Sequence, residues 1–228
     1  MKIELKNLKY YFLTFKNETR RKHMFNEFSK FDLTAVETIP RNSKYKSGGL
    51  GISKILDLVT KQLKNPQIFQ PFGLLEDDIK QYRDFPEFVD VPDHIDILYL
   101  GLSNAGMNKE VQNYDVCLKH VEDYDDLIKV YNMLSSHGIL ICSIRGLLSI
   151  QKCALEGFFT NRPWDIFYSQ MQPYLNIYAF KTPLIYQCKD VGGQEKATKI
   201  DYNTKPEKII PNDWINDKNI SNITIFKD

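Results

Sequence analysis

The chain has 228 residues, enough for one well-packed domain with an appendage. Apolar residues make up 43% and charged residues 26%, which places it among globular rather than disordered chains. A net charge of +1 argues against a general electrostatic affinity for nucleic acid or an acidic membrane.

The N-terminus, MKIELKNLKYYFLTF, is too polar and alternating for a signal peptide, and no apolar run approaches a membrane span. Its KYYFLTF portion reads as a first strand. NETRRKHMFNEFSKF has the character of a helix, with Asn17 or Thr19 as its cap and Met24, Phe25 and Phe28 at helical spacing. LTAVETIP reads as a second strand ended by Pro40, and RNSKYKSGG as a basic, glycine-terminated loop. LGISKILDLVTKQLKN follows as an amphipathic helix, then FGLLEDD as a short buried strand. IDILYLGLS is a further strand, and YDDLIKVYNMLSSHG holds a helical segment. GILICSI is a strand, RGLLSIQKCALEGFF a helix, and LNIYAFKTPLIYQ supplies at least one late strand broken by Pro183. Strands alternating with helices indicate an α/β fold with a mixed, mostly parallel sheet over residues 1–190. Residues 191–228 lose this periodicity and read as a polar extension.

Cys117, Cys142, Cys153 and Cys188 form no CxxC pair, and Cys142 lies in an apolar run where a reduced buried thiol is expected. A cytoplasmic, reducing setting is the expectation. The four histidines show no metal-ligand spacing and are expected at the surface.

The chemistry concentrates where the strand FGLL runs into Glu76, Asp77 and Asp78. In open α/β sheets ligands gather beyond the carboxyl ends of strands. Adjacent carboxylates repel one another unless a cation neutralises them, and oxygen donors suit Mg²⁺ or Mn²⁺. A solvated acidic turn is the plainer alternative.

Taken together, the blocks YYFLTFKNETRRKHM, GGLGISKIL, FGLLEDDI, IDILYLGLS, GILICSIRGLLSI and NRPWDIFYSQM…LNIYAFKTPLIYQ resemble a GT-A fold glycosyltransferase. More narrowly they resemble glycosyltransferase family 25, which includes lipooligosaccharide and procollagen galactosyltransferases. The block order covers roughly residues 8 to 188, and the acidic block is the distinctive one. One departure stands out. The family's glycine-rich helix carries a Ser-His pair, where this chain has Ile55-Leu56 or, with a two-residue deletion, Ser53-Lys54. The Lys/Asn/Ile-rich composition would suit a viral protein encoded by a large DNA virus with an AT-rich genome.

The resemblance implies a transferase moving glucose or galactose from a UDP-sugar to a glycan or other hydroxylated acceptor, inverting, with Mn²⁺ or Mg²⁺ as cofactor. It places Glu76 and Asp78 nearest the metal and Asp77 nearer the ribose or sugar, with a helix cap as the alternative for Asp77. Arg20 and Arg21 would face the uracil or diphosphate, or else form a solvated helical turn. The backbone of Thr14 and Phe15 would meet the base, and Lys46 with Gly49 would cover the donor. Asp165 is similar to the family's acidic residue in the acceptor region and is the candidate base, with Trp164 as an acceptor platform; a helix cap beside a core tryptophan is the other reading. Competing functions are a non-catalytic glycan-binding or assembly module and a nucleotidyltransferase.

Overall fold

The computed structural model describes residues 1–38, 42–62, 69–103, 106 and 116–193. In chain order the described elements are β1 (Lys2–Glu4), β2 (Lys9–Thr14), α1 (Glu18–Glu27), β3 (Asp32–Glu37), α2 (Lys44–Gln62) and β4 (Phe72–Leu75). Next come β5 (Ile79–Gln81), β6 (Phe88–Asp90), β7 (Ile97–Tyr99), β8 (Cys117–His120), β9 (Leu127–Asn132) and β10 (Gly138–Ile141). The last are α3 (Ile144–Thr160), α4 (Trp164–Met171), β11 (Ile177–Phe180) and β12 (Ile185–Gln187).

Eight strands form one sheet in the order β3-β2-β4-β10-β7-β11-β9-β8. Its β2–β3, β2–β4 and β7–β11 pairings are parallel and the other four antiparallel, so the sheet is mixed and less parallel than expected. Strand alternation divides the core between its two faces. Tyr11 and Leu13 of β2 join α2, α3 and α4 through Ile52, Leu56, Leu147, Ile150 and Tyr168. Tyr10 and Phe12 face the other way, onto Met24 of α1, Phe28 at its C-cap, and Leu5, Phe85 and Ile185.

Two expectations are corrected. Residues 44–49 are helix rather than loop, because Ser43 Oγ accepts from Tyr45 N at 3.2 Å and starts α2 early. The adjacent glycines do not break it: a Cβ on Gly49 would stand 2.5 Å from the Ala154 carbonyl, so glycine there is what lets α2 lie against α3. Residues 127–132 form β9, not a helical segment. Leu127, Ile128, Val130 and Asn132 are buried while Lys129 and Tyr131 are less so, and partners wait on both sides in β11 and β8. Pro40 and the polar extension from residue 194 onward lie outside the described residues. All four cysteines are free and buried.

Candidate functional site

Parallel pairing sets Phe12 opposite Leu75, so the carboxyl ends of β2 and β4 lie side by side. β10 runs antiparallel to β4 and therefore enters from the same rim, where Glu76 N donates to the His137 carbonyl at 3.0 Å. The segments after β2 and β4, and the one before β10, thus converge. Beside them stand the first turns of α2 and α4.

Between these elements lies a cleft of two adjoining cavities, about 430 and 410 Å³. Each is of a size that holds a small ligand. Phe15, Arg20, Lys44, Gly48, Glu76, Asp77, Ser136 and Trp164 line both. The outer part adds Asn17, Tyr45, Pro163 and Asp165, and the inner part adds Asp78 above Leu13, Ile52 and Leu74.

The acidic turn is withdrawn from solvent: Asp77 is 3% exposed and Asp78 9%. Arg20 answers their charge, with Nη1 at 2.7 Å from Asp77 Oδ1 and 3.6 Å from Asp78 Oδ2. Asn17 caps α1 by accepting from Arg20 N at 3.1 Å, which sets the helix turn that aims this arginine. Burial pushes both carboxyls up, against the pull of Arg20. Asp77 Oδ2 and Asp78 Oδ1 remain buried with no hydrogen-bond partner among the described residues.

Glu76 keeps part of its surface open to the cleft. Burial, then Asp78 and Asp165, push its carboxyl up to about 8, with a hydrogen bond from Gln187 Nε2 at 2.8 Å opposing them. Asp165, in the first turn of α4, is also pushed up by burial; Ser135 N donates to its Oδ2 at 3.2 Å.

The structure brings most of the expected site residues together and leaves some out. Glu76, Asp77, Asp78, Arg20, Phe15, Trp164 and Asp165 share the cleft. Phe15 is 46% exposed at its mouth, and Trp164 stacks on Tyr168 with ring centroids 5.8 Å apart. Thr14 is buried, and its carbonyl is taken by Thr38 N at 3.0 Å. Arg21 points outward, 3.9 Å from Glu18. Lys46 stands over the Phe158 ring at 5.9 Å and Gly49 packs on α3, while their neighbours Lys44 and Gly48 line the cleft. His137, expected at the surface, is 1% exposed, its Nδ1 paired with Ser135 Oγ at 2.5 Å.

Lys44, Tyr45, Ser136 and Gln187 were not foreseen. The glycines of residues 41–49 suggest a loop, which hides Lys44 and Tyr45. Gln187 carries no local signal, since its partner lies 111 residues earlier.

The donor set admits a divalent cation in part. Among the described residues no three His, Cys, Asp or Glu side chains converge to hold a metal by themselves. The two orphaned oxygens are nevertheless the hard donors such an ion takes, and Mg²⁺ in particular is held by one or two carboxylates completed by substrate phosphates and water. Among the described residues of the cleft lining, Arg20 and Lys44 stand with four carboxyl groups, all drawn toward the neutral acid by burial.

No protein-family model matches the chain, and no curated protein matches it. Among solved structures, the chain is similar to A197 from STIV at 12% identity and a TM-score of 0.42, over 78% of this chain and 83% of that one. It is also similar to the CTP:phosphocholine cytidylyltransferase LicC from Streptococcus pneumoniae at 13% identity and a TM-score of 0.40, over 78% of this chain and 72% of that one. At these values neither likeness carries a statement about ligand or reaction. No helix among the described residues is long and apolar enough to cross a membrane. What stands on the geometry is a mixed α/β fold with an acidic, arginine-braced cleft at the carboxyl ends of two parallel strands.

Proposed function

We propose that the chain is a glycosyltransferase that moves a hexose, glucose or galactose, from a UDP-sugar to an acceptor hydroxyl in this cleft. The observation that carries the reading is the pair of buried oxygens on Asp77 and Asp78 that find no hydrogen-bond partner among the described residues, beside a cleft of a size that holds a small ligand. The order of blocks that resembles glycosyltransferase family 25 adds the sugar transfer.

Asp77 and Asp78 would hold Mn²⁺ or Mg²⁺ together with the donor's phosphates, with Glu76 beside them. When bound, the ion neutralises the departing diphosphate. Lys44 and the exposed ring of Phe15, both in the cleft lining, would serve the nucleotide end. Asp165 works at the acceptor end beside Trp164, its Oδ2 oriented by Ser135 N. As the acceptor oxygen bonds to the anomeric carbon, its proton passes to Asp165. The bond from that carbon to the diphosphate breaks, and its electron pair leaves with UDP. Burial makes Asp165 a stronger base than a solvated aspartate, as this step requires. A single displacement of this kind inverts the anomeric configuration.

The test is thermal stability against a panel of nucleotide sugars, each with and without Mn²⁺, followed by identification of the released nucleotide. A ligand at 100 times its dissociation constant stabilises a fold by about 2.7 kcal/mol. A Mn²⁺-dependent shift with one UDP-sugar, and UDP as product, is the expected result. Release of inorganic diphosphate would make the chain a nucleotidyltransferase instead. No shift with any donor would leave a non-catalytic module.

A further inference from the structure

Arg20 is read from sequence as a nucleotide contact, yet its bonds run elsewhere. Nη1 lies on Asp77 and Asp78, Nε donates to the Val191 carbonyl at 2.8 Å, and Nη2 donates to the Gly192 carbonyl at 2.8 Å. The strap that supplies those carbonyls is itself fastened to the acidic turn, because Cys188 N donates to the Asp78 carbonyl at 2.7 Å. Gly193 N closes the strap on the Cys188 carbonyl at 2.8 Å. The bonds form a closed circuit from turn to arginine to strap and back to the turn.

We infer that Arg20 is a positioning residue for the cation site, holding Asp77 Oδ1 and leaning on Asp78 Oδ2 so that Asp77 Oδ2 and Asp78 Oδ1 are left to the ion. This rests on the nucleotide-sugar reading above and assigns the strap 188–193 to the same machinery.

Each carboxylate has two oxygens, and Arg20 engages one on each, while the other on each is the buried orphan. A carboxylate braced on one oxygen has lost the freedom to rotate, so the second oxygen is presented at little further entropic cost. The guanidinium is braced in turn: its three nitrogens each meet a fixed acceptor, and its side chain is only 24% exposed. An arginine committed in this way cannot swing onto a phosphate without breaking bonds to the strap. Gly192 is matched to the arrangement. Its φ of +84° suits glycine, and a Cβ there would approach Arg20 Nη2 to 3.0 Å. Gly193 fits equally closely, since a Cβ on it would stand 3.0 Å from the Asp78 carbonyl.

The experiment titrates Mn²⁺ into the full-length protein with UDP present, reading bound ion by electron paramagnetic resonance, and separately measures UDP binding at saturating Mn²⁺. The variants are Arg20→Ala, Arg20→Lys and Gly192→Ala, with circular dichroism as the check on folding. Arg20→Ala and Gly192→Ala should each weaken Mn²⁺ by roughly 10- to 100-fold, the usual effect of losing a group that orients a metal ligand. Arg20→Lys should recover part of that loss, and UDP affinity at saturating Mn²⁺ should be unchanged in all three. Gly192→Ala leaves every carboxylate and Arg20 itself in the chain, so it keeps the idea testable if Arg20→Ala does not fold. Mn²⁺ affinity unaltered in folded variants would overturn the inference, as would a loss of UDP affinity at saturating Mn²⁺, which would make Arg20 a phosphate ligand. A wild-type protein that binds neither Mn²⁺ nor UDP would overturn the nucleotide-sugar reading itself, and this inference with it.

Discussion

The backbone N–H of Ser135 reaches the carboxylate of Asp165 at 3.2 Å, tying the segment before β10 to the first turn of α4. Ser135 holds a φ of 74°, in the left-handed region, which turns its N–H toward α4 just ahead of the strand. The candidate base is therefore oriented by a backbone group that no side-chain substitution removes. Asp165→Asn keeps the volume and the Ser135 bond but cannot take a proton. Its transfer rate should fall by roughly 10²- to 10⁴-fold, the usual worth of a positioned base, with UDP affinity within about twofold of wild type. Steady-state kinetics beside calorimetric titration of UDP checks this; a normal rate would exclude Asp165 from the chemistry.

Gln187 makes the equivalent connection for Glu76, its Nε2 donating to Oε2 at 2.8 Å from the end of β12. Gln187→Leu should lower unfolding stability by about 1–2 kcal/mol, the cost of leaving a buried acceptor short of a partner. A urea denaturation midpoint equal to wild type would show that the amide contributes nothing there.

Neighbouring glycines in α2 should respond in opposite directions. A Cβ on Gly48 meets nothing within 4 Å, whereas one on Gly49 meets the Ala154 carbonyl at 2.5 Å and Phe158 N at 3.1 Å. Gly48→Ala should stabilise the protein by about 0.5–1 kcal/mol through helix propensity. Gly49→Ala should cost about 1–3 kcal/mol by forcing α2 off α3. Thermal denaturation of the two variants side by side decides it, and equal shifts would refute the packing described for that crossing.

Lys129 offers a pH-dependent prediction away from the cleft. Its Nζ donates to Asn176 Oδ1 at 2.9 Å above the Tyr178 ring, and burial draws its pKa down to about 8. An unfolded lysine titrates near 10.4, so the unfolded state binds more protons between the two values, and stability from this group rises with pH across that window. Below pH 8 the charged form is present in both states and its burial cost is fully felt. Lys129→Met should therefore be more stable than wild type at pH 7, by at most about 3 kcal/mol less the lost Asn176 bond. The difference should shrink as pH approaches 10. Denaturation of both proteins at pH 7 and pH 9.5 measures it; a pH-independent difference would mean that Lys129 titrates normally.

Much of the fold is legible because it follows local periods. β2, β4, β10 and β11 are short, strongly apolar runs, and α3 carries its apolar stripe behind a serine cap that accepts from Gly146 N. The misreadings fall where two signals compete. In YDDLIKVYNML the acidic residues ahead of an apolar run resemble a helix start, but alternation over residues 127–132 and strands on either side win. In KYKSGG the glycines advertise a loop, while the helix survives because α3 lies too close for a side chain at Gly49. His137 was misplaced for a related reason: a polar residue before a strand looks exposed until the fold covers it.

The amino-acid sequence by itself determined the alternation of strands and helices, the acidic triplet at the end of a buried strand, and the aspartate beside Trp164. Each is written in adjacent residues. Only the tertiary structure decided that Arg20 turns to the strap at Val191 and Gly192, that Gln187 serves Glu76, and that Lys44 rather than Lys46 lines the cleft. The physical reason is range. A helix or strand is set by neighbours a few residues apart, whereas a buried charge takes whichever partner the packed chain delivers, here from 57 and 171 residues away for Arg20.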